Sequence, residues 1–120
     1  MDNGIEKKSF LFSVRAVKLC RYLQEEKKEY ILSKQLIRSA TSIGANVVES
    51  QQAQGRADFT AKLSIALKEA TETNYWLRLL CATDYLSQAE FSSMIADCQE
   101  LERMLTAIIK TSRSTTHKSS

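Results

Sequence analysis

The stretch KQLIRSATSIGANVVESQQAQ, residues 34–54, decides the fold class. Four of its apolar residues recur every three or four positions, the spacing of one face of an α-helix. They are Leu36, Ala40, Ile43 and Val47. Small residues crowd the same segment, and Gly44 in its middle costs about 1 kcal/mol relative to alanine in a helix. We therefore predict a helix over about 34–54 whose backbone approaches a neighbouring helix closely at Gly44.

Three further segments show helical periodicity, over about 7–25, 57–82 and 87–110. Ser33 is placed to cap the second helix at its start, and Gly55 is placed to end it in a left-handed conformation. Ser87 and Glu90 form the spacing of a capping box at the start of the fourth helix. Plotted on helical wheels, the four segments each show an apolar arc that we expect to face the core. These arcs include Phe10, Phe12, Cys20, Leu63, Leu77, Cys81, Cys98 and Leu105.

Composition excludes the other fold classes. The chain has 120 residues with 3 glycines and no proline, too little turn chemistry for a β-sandwich or barrel. Short connections between long helices favour an all-α, antiparallel up-down-up-down four-helix bundle over 1–112, followed by a disordered tail over 113–120. No run of about 18 apolar residues and no signal peptide are present, and the three cysteines favour a reducing compartment. We expect a cytoplasmic protein without membrane contact.

Enzyme chemistry is largely excluded by the residue types. The single histidine, His117, lies in the predicted tail, so a di-metal carboxylate site and a histidine-assisted nucleophile are both ruled out. Cys20, Cys81 and Cys98 lack the spacing of a zinc site. The carboxylates Glu69 and Glu72 have no acid–base partner or phosphate-binding loop, so ion pairing is the favoured role. We predict no catalytic residue, cofactor, metal or small-molecule substrate.

Two surface stripes each leave two interpretations open. Arg38, Ser42, Asn46 and Glu49 form either a solvent face of the second helix or a polar ladder against a neighbouring helix. On the third helix, a second apolar stripe flanks the core face. Its members Ile65, Trp76 and Leu79 form either the edge of a wide core or a contact between subunits.

Basic residues offer a third surface. The net charge of +3 falls to +1, with 13 basic against 12 acidic residues, when 1–8 and 113–120 are left out. Bulk charge is therefore low for a nucleic-acid binder. Arg15, Lys18 and Arg21 nevertheless share an arc of about 120° on the first helix, and Lys27 and Lys28 follow it. The arc is either a solvated outer face or a surface that contacts phosphates.

The second helix also carries a family resemblance. Residues 37–49 read IRSATSIGANVVE, and the third helix adds Asp58, Phe59, Glu69 and the string ETNYWL over 72–77. The chain resembles, over about 10–109, the small bacterial four-helix-bundle family named after open reading frames in 23S rRNA intervening sequences. Carried over by position, the polar signature residues are Arg38, Ser42, Asn46, Glu49, Glu69 and Glu72, which we interpret as structural.

The resemblance implies properties that composition does not show. Members of the family are similar to the accessory proteins of diversity-generating retroelements, which form pentameric, basic-lined barrels. The resemblance therefore implies a homo-oligomer, by analogy a pentamer, with nucleic acid or a reverse transcriptase as a candidate partner. Two functions compete: a non-enzymatic oligomeric scaffold, or an oligomeric RNA- or DNA-binding accessory protein.

Overall fold

The computed structural model describes the backbone of residues 3–119 and the side chains of residues 4–114. Four helices make up nearly all of this part of the chain. They are α1 (Asn3–Glu25), α2 (Leu32–Ser50), α3 (Arg56–Ala82) and α4 (Gln88–Ser119). The connections between them are short, so each helix turns back on its predecessor. None of the helices in the described range is long and apolar enough to cross a membrane.

Cross-helix contacts establish the antiparallel order. At each of the three sequential interfaces, residues with rising numbers on one helix contact residues with falling numbers on the next. The pairs are Ser9 with Gly44 and Cys20 with Ser33, Ser39 with Thr73 and Glu49 with Lys62, and Thr60 with Ser112 and Ala70 with Cys98. Lys8–Glu100 and Arg15–Asp97 ion pairs connect α1 with α4 and close the bundle. The predicted up-down-up-down four-helix bundle is confirmed.

The core follows the predicted stripe on α2. Leu36, Ala40, Ile43 and Val47 are all fully buried. The prediction that Phe10 faces the core is wrong. Phe10 is 67% exposed, while Phe12, two positions on, is buried. Phe10 lines a groove between α1 and α2, and the α2 side of this groove consists of Thr41, Gly44, Ala45 and Val48.

Gly44 marks a close approach of two helices, as predicted. A Cβ atom placed on Gly44 would lie 3.4 Å from both the Ser9 carbonyl oxygen and the Ser13 hydroxyl of α1. Alanine would therefore just reach van der Waals contact, and any larger side chain would push α1 away.

The start of α2 differs from the prediction. The helix begins at Leu32, and the capping acceptor is Glu29 rather than Ser33. The Glu29 carboxylate accepts hydrogen bonds from the backbone N–H groups of Ile31 (3.1 Å), Leu32 (2.9 Å) and Ser33 (2.7 Å). The Ser33 hydroxyl instead donates to the Glu29 carbonyl oxygen at 2.9 Å. A carboxylate that reaches into the first turn satisfies orphan donors and complements the helix dipole.

The end of α2 also differs. The helix ends at Ser50, four residues before the predicted boundary, and Gly55 does not adopt a left-handed conformation. Gly55 is extended, with φ 175°, and immediately precedes α3. The capping box of α4 is confirmed: the Glu90 N–H donates to the Ser87 hydroxyl at 3.1 Å, and the Ser87 N–H donates to the Glu90 carboxylate at 2.8 Å.

The outer helices are longer than predicted. α1 begins at Asn3 instead of near residue 7, and α4 continues to Ser119 instead of ending near residue 110. The backbone of the segment predicted as a disordered tail, 113–120, is thus helical as far as Ser119. The segment contains no glycine or proline, so nothing in its sequence stops the helix. Side chains beyond residue 114, including His117, lie outside the described set.

Candidate functional site

A polar cluster connects α2 with α3 and contains three of the predicted signature residues. The Arg38 guanidinium pairs with Glu72 and lies 3.4 Å from the Glu69 carboxylate. The Trp76 indole N–H donates to the same Glu72 carboxylate at 2.9 Å. Beneath this Arg38 cluster, the buried Thr73 hydroxyl donates to Ser39 at 2.9 Å. The cluster connects α2 with α3 at a fixed register.

The rest of the signature stripe divides between the two interpretations. Ser42 and Asn46 donate to carbonyl oxygens one turn back in their own helix, at 2.7 and 2.8 Å. Glu49 accepts from Lys62 of α3 at 3.0 Å. Thus Arg38 and Glu49 form ion pairs with α3 at either end of the stripe, while the hydrogen bonds of Ser42 and Asn46 between them stay within α2.

The apolar stripe of α3 is only partly exposed. Trp76 packs against the core with its indole N–H satisfied inside the chain, and Leu79 is half-buried. Ile65 is 43% exposed on the edge of α3 that faces α2. Within a single chain, Trp76 and Leu79 therefore belong to the edge of the bundle core, and Ile65 is the exposed member of the stripe.

A second exposed apolar surface lies between α1 and α2. There Phe10 (67% exposed) and Val48 (51% exposed) flank a groove with a volume of about 640 Å³, which we call the α1/α2 groove. Its other lining residues are Glu6, Lys7, Ser9, Ser13, Thr41, Gly44 and Ala45. This groove was not predicted, because Phe10 was placed on the core-facing arc of the first helix. Gly44 and its small neighbours were the available signal.

The hydroxyl groups of the groove are already satisfied. Ser9 donates to the Glu6 carbonyl oxygen at 3.1 Å, Ser13 donates to the Ser9 carbonyl oxygen at 3.1 Å, and Thr41 donates to the Ile37 carbonyl oxygen at 2.7 Å. Since these donors bond within their own helices, the floor of the groove presents mainly carbon atoms to solvent. Such a surface favours an apolar occupant.

The predicted basic residues separate into two groups. Arg15 pairs with Asp97 and donates to the Ser93 hydroxyl at 2.7 Å, so it joins α1 to α4. Lys18, Arg21, Lys27 and Lys28 are exposed. Among the side chains that the structure describes, none of these four forms an ion pair.

The connection between α1 and α2, residues 26–31, brings Lys27 and Lys28 next to exposed apolar side chains, and we call it the elbow. Tyr30 is 50% exposed and Ile31 is 76% exposed. Lys28 adopts a left-handed conformation, with φ 57°. The Glu29 N–H donates to the Leu23 carbonyl oxygen of α1 at 2.9 Å, and its carboxylate accepts from the first turn of α2. Glu29 therefore links the elbow to both helices. From the sequence, Lys27 and Lys28 were predicted only to follow the basic arc of the first helix.

Two of the cysteines are deeply buried and unreactive in character. Burial, with a smaller contribution from the Glu29 carboxylate, raises the pKa of Cys20 to about 12. Burial and the Glu102 carboxylate raise the pKa of Cys98 to about 12 as well. Cys81 is partly exposed. Within the described residues, no group of three or more metal-ligating side chains comes together.

Comparison with known proteins gives two findings. The family model described as 23S rRNA-intervening sequence protein matches residues 1–107. A crystal structure of a protein with unknown function from the S23 ribosomal protein family of Bacteroides thetaiotaomicron VPI-5482 is 51% identical, with a TM-score of 0.90. The match covers 91% of this chain and 97% of that one. Among curated proteins, none matches significantly.

Proposed function

Because the chain belongs to the 23S rRNA-intervening sequence protein family, we propose that it is a non-enzymatic scaffold that works as a homo-oligomer, with a pentamer as the expected assembly. The observation that carries the proposal is the α1/α2 groove. Phe10 and Val48 flank a cavity whose floor has no free hydroxyl donor, and a single bundle leaves it open to water. Burying large side chains of this kind contributes about 1.5–3 kcal/mol each.

The proposed occupant of the groove is a second copy of the chain. Glu49–Lys62 and Arg38–Glu69 contacts bracket Ile65 and place it at about the same height along the bundle as Gly44. In a closed ring whose axis runs parallel to the bundles, contacting residues lie at equal heights. Ile65 of one copy can therefore enter the α1/α2 groove of the next, which brings one member of the predicted Ile65, Trp76 and Leu79 stripe into the interface.

Phe10→Glu tests this proposal by placing a charge in the groove. We expect light scattering to give a multiple of the monomer mass for the wild type and a monomer for Phe10→Glu. Tyr75→Glu is the matched control, since Tyr75 is 48% exposed on α3, away from the groove. A monomeric wild type at micromolar concentration contradicts the assembly, and an oligomeric Phe10→Glu variant contradicts the groove as its interface.

A second candidate function is nucleic-acid binding by the oligomer. It is favoured by Lys18, Arg21, Lys27 and Lys28, which are exposed and free of ion pairs within the described part of the chain. In a ring, each copy repeats this group of cations, so the low net charge of one chain is less restrictive. Arg15 contributes less than the sequence suggested, because Asp97 neutralises it.

The salt dependence of binding tests this candidate. Replacing Lys18 and Arg21 with alanine should weaken RNA or DNA binding equally for all sequences and reduce the slope of log affinity against log salt by about 1 to 2. The control is Lys68→Ala with Lys110→Ala, which removes two exposed cations from other helices. An unchanged slope in the Lys18/Arg21 variant contradicts binding through α1.

A further inference from the structure

We propose that Tyr30 in the elbow is a stacking platform for single-stranded nucleic acid, an inference that rests on the second candidate function above. Tyr30 is half exposed, and the cations Lys27, Lys28 and Lys34 surround it in sequence and are all exposed. An aromatic ring between cations is the arrangement by which proteins bind single strands without sequence preference, because every base has a face that can stack.

The ring of Tyr30 is free to stack, unlike that of the other exposed tyrosine on the surface. Tyr75 meets Trp76 edge-on at 5.1 Å between ring centroids, and the Arg78 guanidinium lies over Tyr75 at 5.8 Å. No comparable ring or cation contact involves Tyr30 among the described side chains. Tyr30 and Tyr75 are thus nearly equal in exposure and differ in whether neighbouring side chains already contact the ring.

The elbow holds Tyr30 in place before any ligand arrives. The residue before it, Glu29, is buried and accepts backbone hydrogen bonds from Ile31, Leu32 and Ser33. Gln24 donates to the Ser33 hydroxyl at 3.2 Å and ties the same turn to α1. Since the backbone on both sides of Tyr30 is fixed, stacking costs little conformational entropy.

The charges of the elbow predict weak phosphate contacts and therefore only a small salt dependence of the binding contributed there. Glu25 and Glu26 are exposed in the same segment and offset part of the lysine charge. Affinity for a single strand should therefore depend on stacking more than on phosphate contacts. A duplex, whose bases are already stacked on each other, gains nothing from Tyr30.

Fluorescence anisotropy with the full chain tests the proposal, using labelled oligo-dT of about 12 nucleotides and a blunt-ended duplex of about 12 base pairs without unpaired bases. We expect Tyr30→Ala to weaken single-strand binding about tenfold and to leave duplex binding unchanged. Tyr30→Trp should retain or improve single-strand binding, which guards against an effect of misfolding. Tyr75→Ala is the matched control and should bind like the wild type.

The outcomes separate the inference from the function on which it rests. Wild-type binding that Tyr30→Ala does not change overturns the stacking role and leaves nucleic-acid binding standing. Equal losses for Tyr30→Ala and Tyr75→Ala, or equal losses on single strand and duplex, also overturn it. A wild type that binds neither probe at low salt overturns both the stacking role and the second candidate function.

Discussion

At the scale of single residues, Glu29 has the largest structural role that the sequence did not reveal. Three backbone N–H groups at the start of α2 donate to its carboxylate. Glu29→Ala leaves these donors without a partner, and losing a cap of this kind costs about 1–2 kcal/mol. We expect that loss in the free energy of unfolding measured with urea. Glu26→Ala, an exposed change in the same segment, should be nearly neutral.

Replacing Asp84 with glycine should change the stability less than Glu29→Ala does, and in the opposite direction. Asp84 adopts a left-handed conformation, with φ 68°, in the turn that ends α3, where the Tyr85 N–H donates to the Leu80 carbonyl oxygen at 2.9 Å. This is the position that glycine occupies most readily. Asp84→Gly should therefore stabilise the protein by up to about 1 kcal/mol, visible as a higher melting temperature. Asp84→Ala should not stabilise it, and a gain for alanine would contradict the argument.

The buried thiols make stability depend on pH. The folded state raises the pKa of Cys20 and of Cys98 from 9.0 to about 12, so it keeps both protons longer than the unfolded chain does. This contribution to stability is complete below about pH 9 and is lost as the pH rises towards 12. Unfolding in urea across that range should show a declining free energy, with a shallower decline for Cys98→Ala than for the wild type.

At the scale of the helices, the Arg38 cluster aligns α2 with α3 more than it stabilises them. The Arg38 side chain is 47% exposed, and exposed ion pairs contribute about 0.2–1 kcal/mol. A double-mutant cycle of Arg38→Ala and Glu72→Ala should give a coupling energy in that range, measured by urea unfolding. The Lys62/Glu49 pair provides the matched cycle. A coupling well above 1 kcal/mol for Arg38 and Glu72 would contradict this view.

The helices show which features sequence patterns can predict. Periodicity located the core stripe of α2, and the Ser87–Glu90 spacing predicted a cap that the structure contains. Both signals are local, since they depend on residues within one helix. The cap of α2 is equally local, since Glu29 accepts from N–H groups two to four residues ahead, but it was missed because Ser33 matched the usual capping residue type. The prediction that Phe10 lies in the core was wrong, because a helical wheel gives the direction of a side chain but not whether a neighbouring helix covers it.

At the scale of the whole molecule, the two buried cysteines report on global opening. Cys20 lies at the α1/α2 interface and Cys98 at the α3/α4 interface, so a reagent reaches them only when the bundle separates. At pH 8 a thiol reagent should label Cys81 rapidly and the other two slowly. Urea should accelerate only the slow phase. Rapid labelling of all three cysteines in native protein would contradict the packing described here.

An even number of alternating helices has a practical consequence. Asn3 and the last turns of α4 point towards one pole of the rod, which measures 53 Å in its longest dimension, and the elbow with Tyr30 lies at the other pole. A surface tether or a fluorophore attached at either terminus therefore leaves the elbow pole unobstructed. Single-molecule and immobilised formats can thus present Tyr30 to a probe without engineering the bundle itself.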